Sequence, residues 1–270
     1  MKLAVAIAGE TALDSAFVVW RGFETSIKKA AEFGYDGVEL ALRHGDEIRP
    51  EHLRELLQEY HMEVSCISTG QVYAETGLYF TDQDPGRIRE LTNTFKGLIR
   101  LAAEFGGMVN LGRVRGRMEA GEDLKQTKEC FYQRLRPVAE YAAGCGVTLV
   151  IEPVNRYEIN FINSVDEGAV LLDEFRMDGV GLMPDVFHMN IEDDHIGDSL
   201  ARNRKHVKYI HLADSNRLAP GWGHLNFEEV FHALREIRYE GWAAVEILPK
   251  PEPDSAARQA VEYLRQYMGR

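Results

Sequence analysis

Residues 147–153 read Val-Thr-Leu-Val-Ile-Glu-Pro. Five strand-forming residues run into an acid and a proline, which is how a short buried strand ends. Ser164-Val-Asp-Glu167 follows, a side-chain acceptor with a carboxylate three residues on, the pattern of a helix N-terminus. A helical segment over Val165–Phe175 then leads through Gly179 into Val180-Gly-Leu-Met-Pro-Asp185, a second apolar run that stops at an acid. Strand, helix and strand in this order predict a parallel pair with its helix packed on one face.

The same unit repeats in both directions. Strands are predicted at Leu3–Ala8, Gly37–Leu42, Glu63–Thr69, Met108–Val114, Val147–Val154, Val180–Val186, Val207–Asp214 and Trp242–Leu248. Between them lie amphipathic segments near Thr25–Phe33, Pro50–Tyr60, Pro85–Phe105, Leu124–Ala143, Val165–Phe175, Ile196–Arg202 and Phe227–Arg238, and an eighth closes the chain at Asp254–Met268. Asn226-Phe-Glu-Glu229 repeats the capping pattern, and Pro85 stands at a first helical position. Gly34, Gly106, Gly146, Gly179 and Gly241 fall between a helix and the next strand, where a residue with positive φ is favoured. Eight alternating units imply an all-parallel sheet, and closure satisfies both of its edges. The 270 residues give about 34 per unit. The fold class is therefore α/β, a single (β/α)8 TIM barrel, with residues 1–270 as one barrel domain. A doubly wound open sheet is the alternative. No GxGxxG or GxxxxGK[ST] follows any strand, which argues against its nucleotide-binding form.

Composition narrows the function classes. Hydrophobic residues make up 45%, too many for a disordered chain. Acidic residues number 43 against 31 basic ones, a formal net charge of −12, which disfavours a nucleic-acid partner. Cys66, Cys130 and Cys145 form no CxxC pair, so no disulfide framework is expected and the cytoplasm is the default location. The apolar start Leu3–Ala8 is too short for a signal peptide and reads as a first core strand, and no membrane span is expected. Glu192-Asp193-Asp194 and Arg202-Asn-Arg-Lys205 read as solvated surface.

In a barrel the chemistry sits at the C-terminal ends of the strands. Strands five to eight each run from apolar residues into one ionisable group: Glu152, Asp185, His211 and Glu246. By two-residue alternation Glu152 shares a face with Val150, Asp185 with Met183, His211 with Tyr209 and Glu246 with Ala244. Alone, each acid reads as a cap and the histidine as a hydrogen-bonded core residue. Together, pointing inward, they need a counter-charge, and a divalent cation is the simplest one. Three oxygen donors and one nitrogen make a hard ligand set, which suits Mn2+, Mg2+ or Co2+, with Zn2+ also open.

At these residues the chain resembles the xylose isomerase-like TIM-barrel superfamily. Within it, the resemblance is to the sugar isomerase and epimerase group that includes D-tagatose/D-psicose 3-epimerases. The resembling segments are Ile151-Glu-Pro-Val-Asn-Arg-Tyr-Glu158, Met183-Pro-Asp-Val-Phe-His-Met-Asn190, Tyr209-Ile-His-Leu-Ala-Asp-Ser-Asn-Arg217, the Pro220-Gly-Trp-Gly223 turn and Val245-Glu246. The resemblance is diffuse over the chain and sharp from Val147 to Leu248. It implies an isomerase of carbohydrate metabolism with a small sugar substrate, a divalent metal, Mn2+ first, and a homo-oligomer, dimer or tetramer. It also implies that Glu152, Asp185, His211 and Glu246 hold the metal, that Glu152 and Glu246 exchange the substrate proton, and that His188, Arg217 and Glu158 hold the carbonyl end of the sugar. Epimerisation beside a ketone removes an α proton, passes through an enediolate and returns a proton from the other face, which two opposed carboxylates can do.

Strand four departs from the free-ketose enzymes. It ends Asn110-Leu-Gly-Arg-Val-Arg-Gly-Arg117, and Arg113 and Arg115 are read as a clamp for a phosphate or carboxylate at the mouth, with a solvated loop as the alternative. Three other functions compete. An aldose–ketose isomerase of the hydroxypyruvate or xylose isomerase kind could use the same residues for a 1,2 proton shift. An apurinic-site endonuclease needs a multi-zinc cluster, and of nine histidines only His188 and His211 are well placed. A non-catalytic sugar binder has no use for two opposed proton carriers.

Overall fold

The computed structural model describes residues 1–13 and 17–268. Eight strands form one parallel sheet: β1 Lys2–Ala8, β2 Gly37–Ala41, β3 Glu63–Ser68, β4 Met108–Leu111, β5 Thr148–Ile151, β6 Val180–Leu182, β7 Tyr209–Leu212 and β8 Trp242–Val245. Sequential neighbours pair from β1 to β6, β7 pairs with β8, and β8 returns to β1. A two-residue strand, Trp20–Arg21, adds to β1 at the mouth.

The ring closes between β6 and β7 by single bridges instead of a ladder, Leu182 with Val207 and Asp185 with His211. Leu182 N donates to the His206 carbonyl at 2.7 Å, and His211 N donates to the Pro184 carbonyl at 2.9 Å. Pro184 has no N–H to give back, so the ladder is interrupted there. The second bridge joins two of the four ionisable strand ends directly.

The helices fall where their sequence signals stand. Pro50–Tyr60, Val165–Phe175 and Ile196–Arg202 have the expected bounds, and the Ser164–Glu167 capping box is formed in both directions. Asp123 and Gln126 make a second capping box ahead of Leu124–Gly144. At Asn226 only the side-chain half of the box forms, to Glu229 N at 3.3 Å. Gly34, Gly106, Gly146 and Gly179 all have positive φ, but Gly241 does not. Arg238 takes the left-handed turn there, and Gly241 is needed because a Cβ would sit 2.5 Å from the Tyr239 hydroxyl.

The strands from β4 to β8 are all shorter than the sequence suggested, and two of them end in new elements. The run to Val114 stops at Leu111 and becomes a 3-10 turn over Arg113–Arg115. The run to Val186 stops at Leu182, because the Asp185 side chain caps a helix over Val186–Glu192 by accepting Phe187 N at 2.9 Å. A further short helix, Gly70–Thr76, follows β3.

The main core lies between sheet and helices. Inside the barrel a separate cluster joins Ala4, Cys66, Val150, Met183, Tyr209 and Ala244, all fully buried. Four of these are the residues two positions before Glu152, Asp185, His211 and Glu246, so the inner faces are the ones that alternation assigned. The three cysteines are unpaired. No helix among the described residues is long and apolar enough to cross a membrane.

Candidate active site and metal centre

The four strand-end groups meet. Ligand atoms of Glu152, Asp185, His211 and Glu246 all lie within 4.8 Å of one another, the single such grouping of His, Cys, Asp and Glu among the described residues. His211 Nδ1 is 3.0 Å from Glu152 Oε1 and 3.7 Å from Glu246 Oε2. Asn110 donates to the other Glu152 oxygen at 3.1 Å and is itself fixed by Thr69 N and Thr69 Oγ1.

Behind this group stands an acid that lies inside a strand and not at its end. Glu39, in the middle of β2, is fully buried, and both its oxygens face His211 Nε2, at 2.9 and 3.1 Å. Its signal in the sequence was present: an acid flanked by Val38 and Leu40 inside a core strand.

Arg217 supplies the main positive charge. Its guanidinium is buried between the rings of Phe17 and Phe187, at 4.3 and 4.7 Å. It pairs with Asp185 Oδ2 at 3.1 Å and with Glu246. The loop that carries it is held by Asp214, which accepts the N–H groups of Ser215, Gly221 and Leu225. Arg217 itself has φ 61, stabilised by its own N–H to the Asp214 carbonyl and by Leu248 N to its carbonyl.

His188 is buried, with Nε2 3.1 Å from Arg217 Nη1 and Nδ1 2.8 Å from Asn155 Nδ2. Burial lowers its pKa. Asn155 passes the contact outward to Glu158, donating to its carboxylate at 3.1 Å, and Glu158 stands exposed at the rim.

The two opposed glutamates are electrostatically unequal. Burial raises the Glu246 carboxyl well above its usual range, against the opposing effect of His211 and Arg217. The same burial acts on Glu152, but the close His211 outweighs it and holds that carboxyl below its usual range. Environments that push two carboxyls apart are those that divide acid and base roles.

The residues fit a divalent cation. Three buried carboxylates, Glu39, Glu152 and Asp185, and the half-buried Glu246 face one guanidinium and the imidazoles of His188 and His211, so negative charge is in excess where charge is most costly. Asp185 Oδ2 is buried and has no aligned hydrogen-bond donor. Hard oxygen donors with one imidazole are the ligand chemistry of Mn2+ and its neighbours.

The strand-four arginines separate. Arg113 stacks on the Tyr73 ring at 5.1 Å and lines a small cavity shared with Glu39, Glu246, Phe17 and Ser68. Arg115 does not reach this cavity, which corrects the expectation of a two-arginine clamp. It is fully buried, and its donors go to the carbonyls of Phe161, Gly112 and Ile162 at 2.8, 3.0 and 2.8 Å. Arg117 pairs with Glu119 on the surface. The acidic run after Val186–Ile191 also departs from expectation. Glu192 packs against Arg156 at 2.7 Å, and Asp193 accepts the Ser199 hydroxyl at 2.6 Å. A surface depression of about 680 Å³, lined by His44, Arg49, Asn93 and Arg100, shares no residue with the carboxylate cluster.

Comparison with known proteins agrees with this fold. Residues 27–267 match the family model described as xylose isomerase-like TIM barrel. An L-ribulose 3-epimerase of Methylomonas sp. (strain DH-1) is 31% identical over 225 residues, covering 82% of this chain and 76% of the relative. A 3-dehydro-D-guloside 4-epimerase of Escherichia coli (strain K12) is 32% identical over 149 residues, 55% of this chain and 57% of that one. The crystal structure of a D-allulose 3-epimerase from Methylomonas sp. in complex with D-allulose shares the fold. Its TM-score is 0.85 at 24% identity, over 99% of this chain and 97% of that one.

Proposed function

Because the chain belongs to the xylose isomerase-like TIM-barrel family, we propose that it is a divalent-metal-dependent sugar epimerase. Residues 1–270 act as one barrel domain, and the substrate is a ketose or keto-sugar derivative. The observation that carries this reading is the convergence of Glu152, Asp185, His211 and Glu246 within 4.8 Å at the mouth of the barrel. The relatives that match it, an L-ribulose 3-epimerase and a 3-dehydro-D-guloside 4-epimerase, invert a carbon in sugars of this type.

Glu152, Asp185, His211 and Glu246 hold the cation, Mn2+ first by donor type, with Mg2+, Co2+ and Zn2+ as alternatives. When bound, it supplies Lewis-acid polarisation of the ketone and its neighbouring hydroxyl. The protein's own groups do the rest. One of Glu152 and Glu246 takes the proton from the carbon beside the ketone, and the C–H electron pair moves into an enediolate. The other returns a proton to the same carbon from the opposite face. The two come from β5 and β8, with β6 and β7 between them, so they approach the substrate from different sides of the ring of strands. Positioned acid–base help of this kind contributes about 10²–10⁴-fold in rate. His188, Arg217 and, through Asn155, Glu158 hold the carbonyl end. Arg113, on the cavity wall with Glu246, favours a substrate whose far end carries a carboxylate, a phosphate or several hydroxyls.

The test is a panel of free ketoses, ketose phosphates, sugar acids and keto-glycosides incubated with Mn2+ in deuterated water. Deuterium on the carbon beside an unmoved ketone, with inversion there, supports the reading. Deuterium accompanying a shift of the carbonyl to C1 makes the enzyme an aldose–ketose isomerase, and no exchange in any class sinks the epimerase assignment.

A further inference from the structure

His211 is enclosed on every side that matters. The Tyr209 ring meets it edge-on, with centroids 5.7 Å apart. The Tyr209 hydroxyl is held by Ser65 Oγ at 2.6 Å, and Ser65 stands where the β2–β3 register slips by one residue, between Val38 and Glu39. Such a bulge re-aims side chains beside a site. The slip sets Glu39 opposite Cys66 on β3, while Ala6 faces it on β1, so its carboxylate enters the barrel interior among small residues. There it reaches the Nε2 edge of the imidazole, while Glu152 and Glu246 occupy the Nδ1 edge.

A neutral imidazole carries one proton, and an ionised carboxylate can only accept. Carboxylates at both edges therefore compete for that proton. If it sat on Nδ1, facing Glu152, the nitrogen would have no lone pair to offer a cation. If it sits on Nε2, the lone pair points at Glu152, Asp185 and Glu246. Two Glu39 oxygens converging on Nε2 decide the contest and fix the ring plane as well. Resting on the reading of the four strand ends as a divalent-metal site, we propose that Glu39 is a positioning residue. It accepts the hydrogen bond donated by His211 Nε2–H, holding the proton on that nitrogen, and so presents the Nδ1 lone pair to the cation. A carboxylate behind a metal-binding histidine typically controls affinity by about 10–100-fold.

The test uses Mn2+ alone, without any sugar, on the full chain. Free Mn2+ is measured by electron paramagnetic resonance during titration of wild type, Glu39→Gln, Glu39→Leu, His211→Gln and the Glu39→Gln/His211→Gln double variant. The Kd for Mn2+ is expected to rise by about 10–100-fold in Glu39→Leu and by less in Glu39→Gln, whose amide oxygen can still accept. In the His211→Gln background, Glu39→Gln adds nothing, because its partner is gone. A purely structural role would change the melting temperature and leave Kd in place. Wild-type Kd values in both Glu39 variants, or a full second loss in the double variant, overturn the proposal. If the variants fail to fold, 15N resonances of the wild-type chain loaded with Mg2+ decide: a proton on His211 Nε2 supports the assignment and one on Nδ1 overturns it. Failure of wild type to bind Mn2+ sinks the metal reading beneath this one, whereas tight binding indifferent to Glu39 sinks only this one.

Discussion

Replacing Arg115 by Met separates a structural arginine from a substrate clamp. The guanidinium is fully buried and gives three hydrogen bonds to carbonyls, two of them at Phe161 and Ile162. Burial pulls its pKa down from 12.5 to about 10. That shift corresponds to roughly 3 kcal/mol spent keeping the charge indoors. Three charge-assisted hydrogen bonds contribute about 1.5–3 kcal/mol each, so the gross gain is roughly 5–9 kcal/mol. The net is about 2–6 kcal/mol, and Met restores the desolvation cost but strands three carbonyls, so a loss of about 3–5 kcal/mol is expected. For a chain of this size that lowers Tm by on the order of 10 °C. Thermal and urea melts followed by circular dichroism measure it. The Michaelis constant of the folded fraction should stay the same for anionic and neutral substrates. A loss under 1 kcal/mol, or an unchanged Tm with weaker binding of anionic sugars only, would refute the structural assignment and restore the clamp.

Two further outcomes follow from neighbouring residues. Arg113→Ala should raise the Michaelis constant for substrates with a charged far end by about tenfold or more while leaving unsubstituted ketoses within a few-fold; equal effects on both classes would remove Arg113 from recognition. Asp193 has its pKa raised to about 6 by burial, partly offset by the Ser199 hydroxyl, so the folded state holds the proton more tightly than the unfolded chain. Stability is then lost as pH rises from about 4 to about 6 and stays reduced above that. Asp193→Asn should therefore be more stable than wild type by about 1 kcal/mol at pH 7.5, after discounting for partial exposure, and equal to it near pH 3, below the unfolded pKa; thermal melts showing the same gap at both pH values would contradict this.

Much of this molecule was readable in the chain because its local signals agree with its fold. The strand ends Glu152, Asp185, His211 and Glu246 stood out because apolar residues led into them, and the inner cluster of Val150, Met183, Tyr209 and Ala244 follows the same alternation. What escaped had physical reasons. Glu39 lies inside a strand, where no strand-end pattern marks it, although an acid between Val38 and Leu40 is itself a signal. The helices Gly70–Thr76 and Val186–Glu192 are seven residues each, too short for an apolar period to show. Arg113 and Arg115 look alike in sequence. Their different fates depend on a loop 46 residues downstream, whose Phe161 carbonyl captures one of them, and no local pattern carries that.

The most direct measurement is proton exchange by wild type and Glu246→Gln, each loaded with Mn2+ in deuterated water and given the ketose that wild type turns over best. Wild type should place one deuterium on the inverted carbon per turnover. Glu246→Gln should lose about 10²–10⁴-fold of that exchange while still binding Mn2+ through Glu152, Asp185 and His211. Exchange at the wild-type rate in the variant would contradict the pairing of Glu152 with Glu246 on which the whole account of the reaction stands.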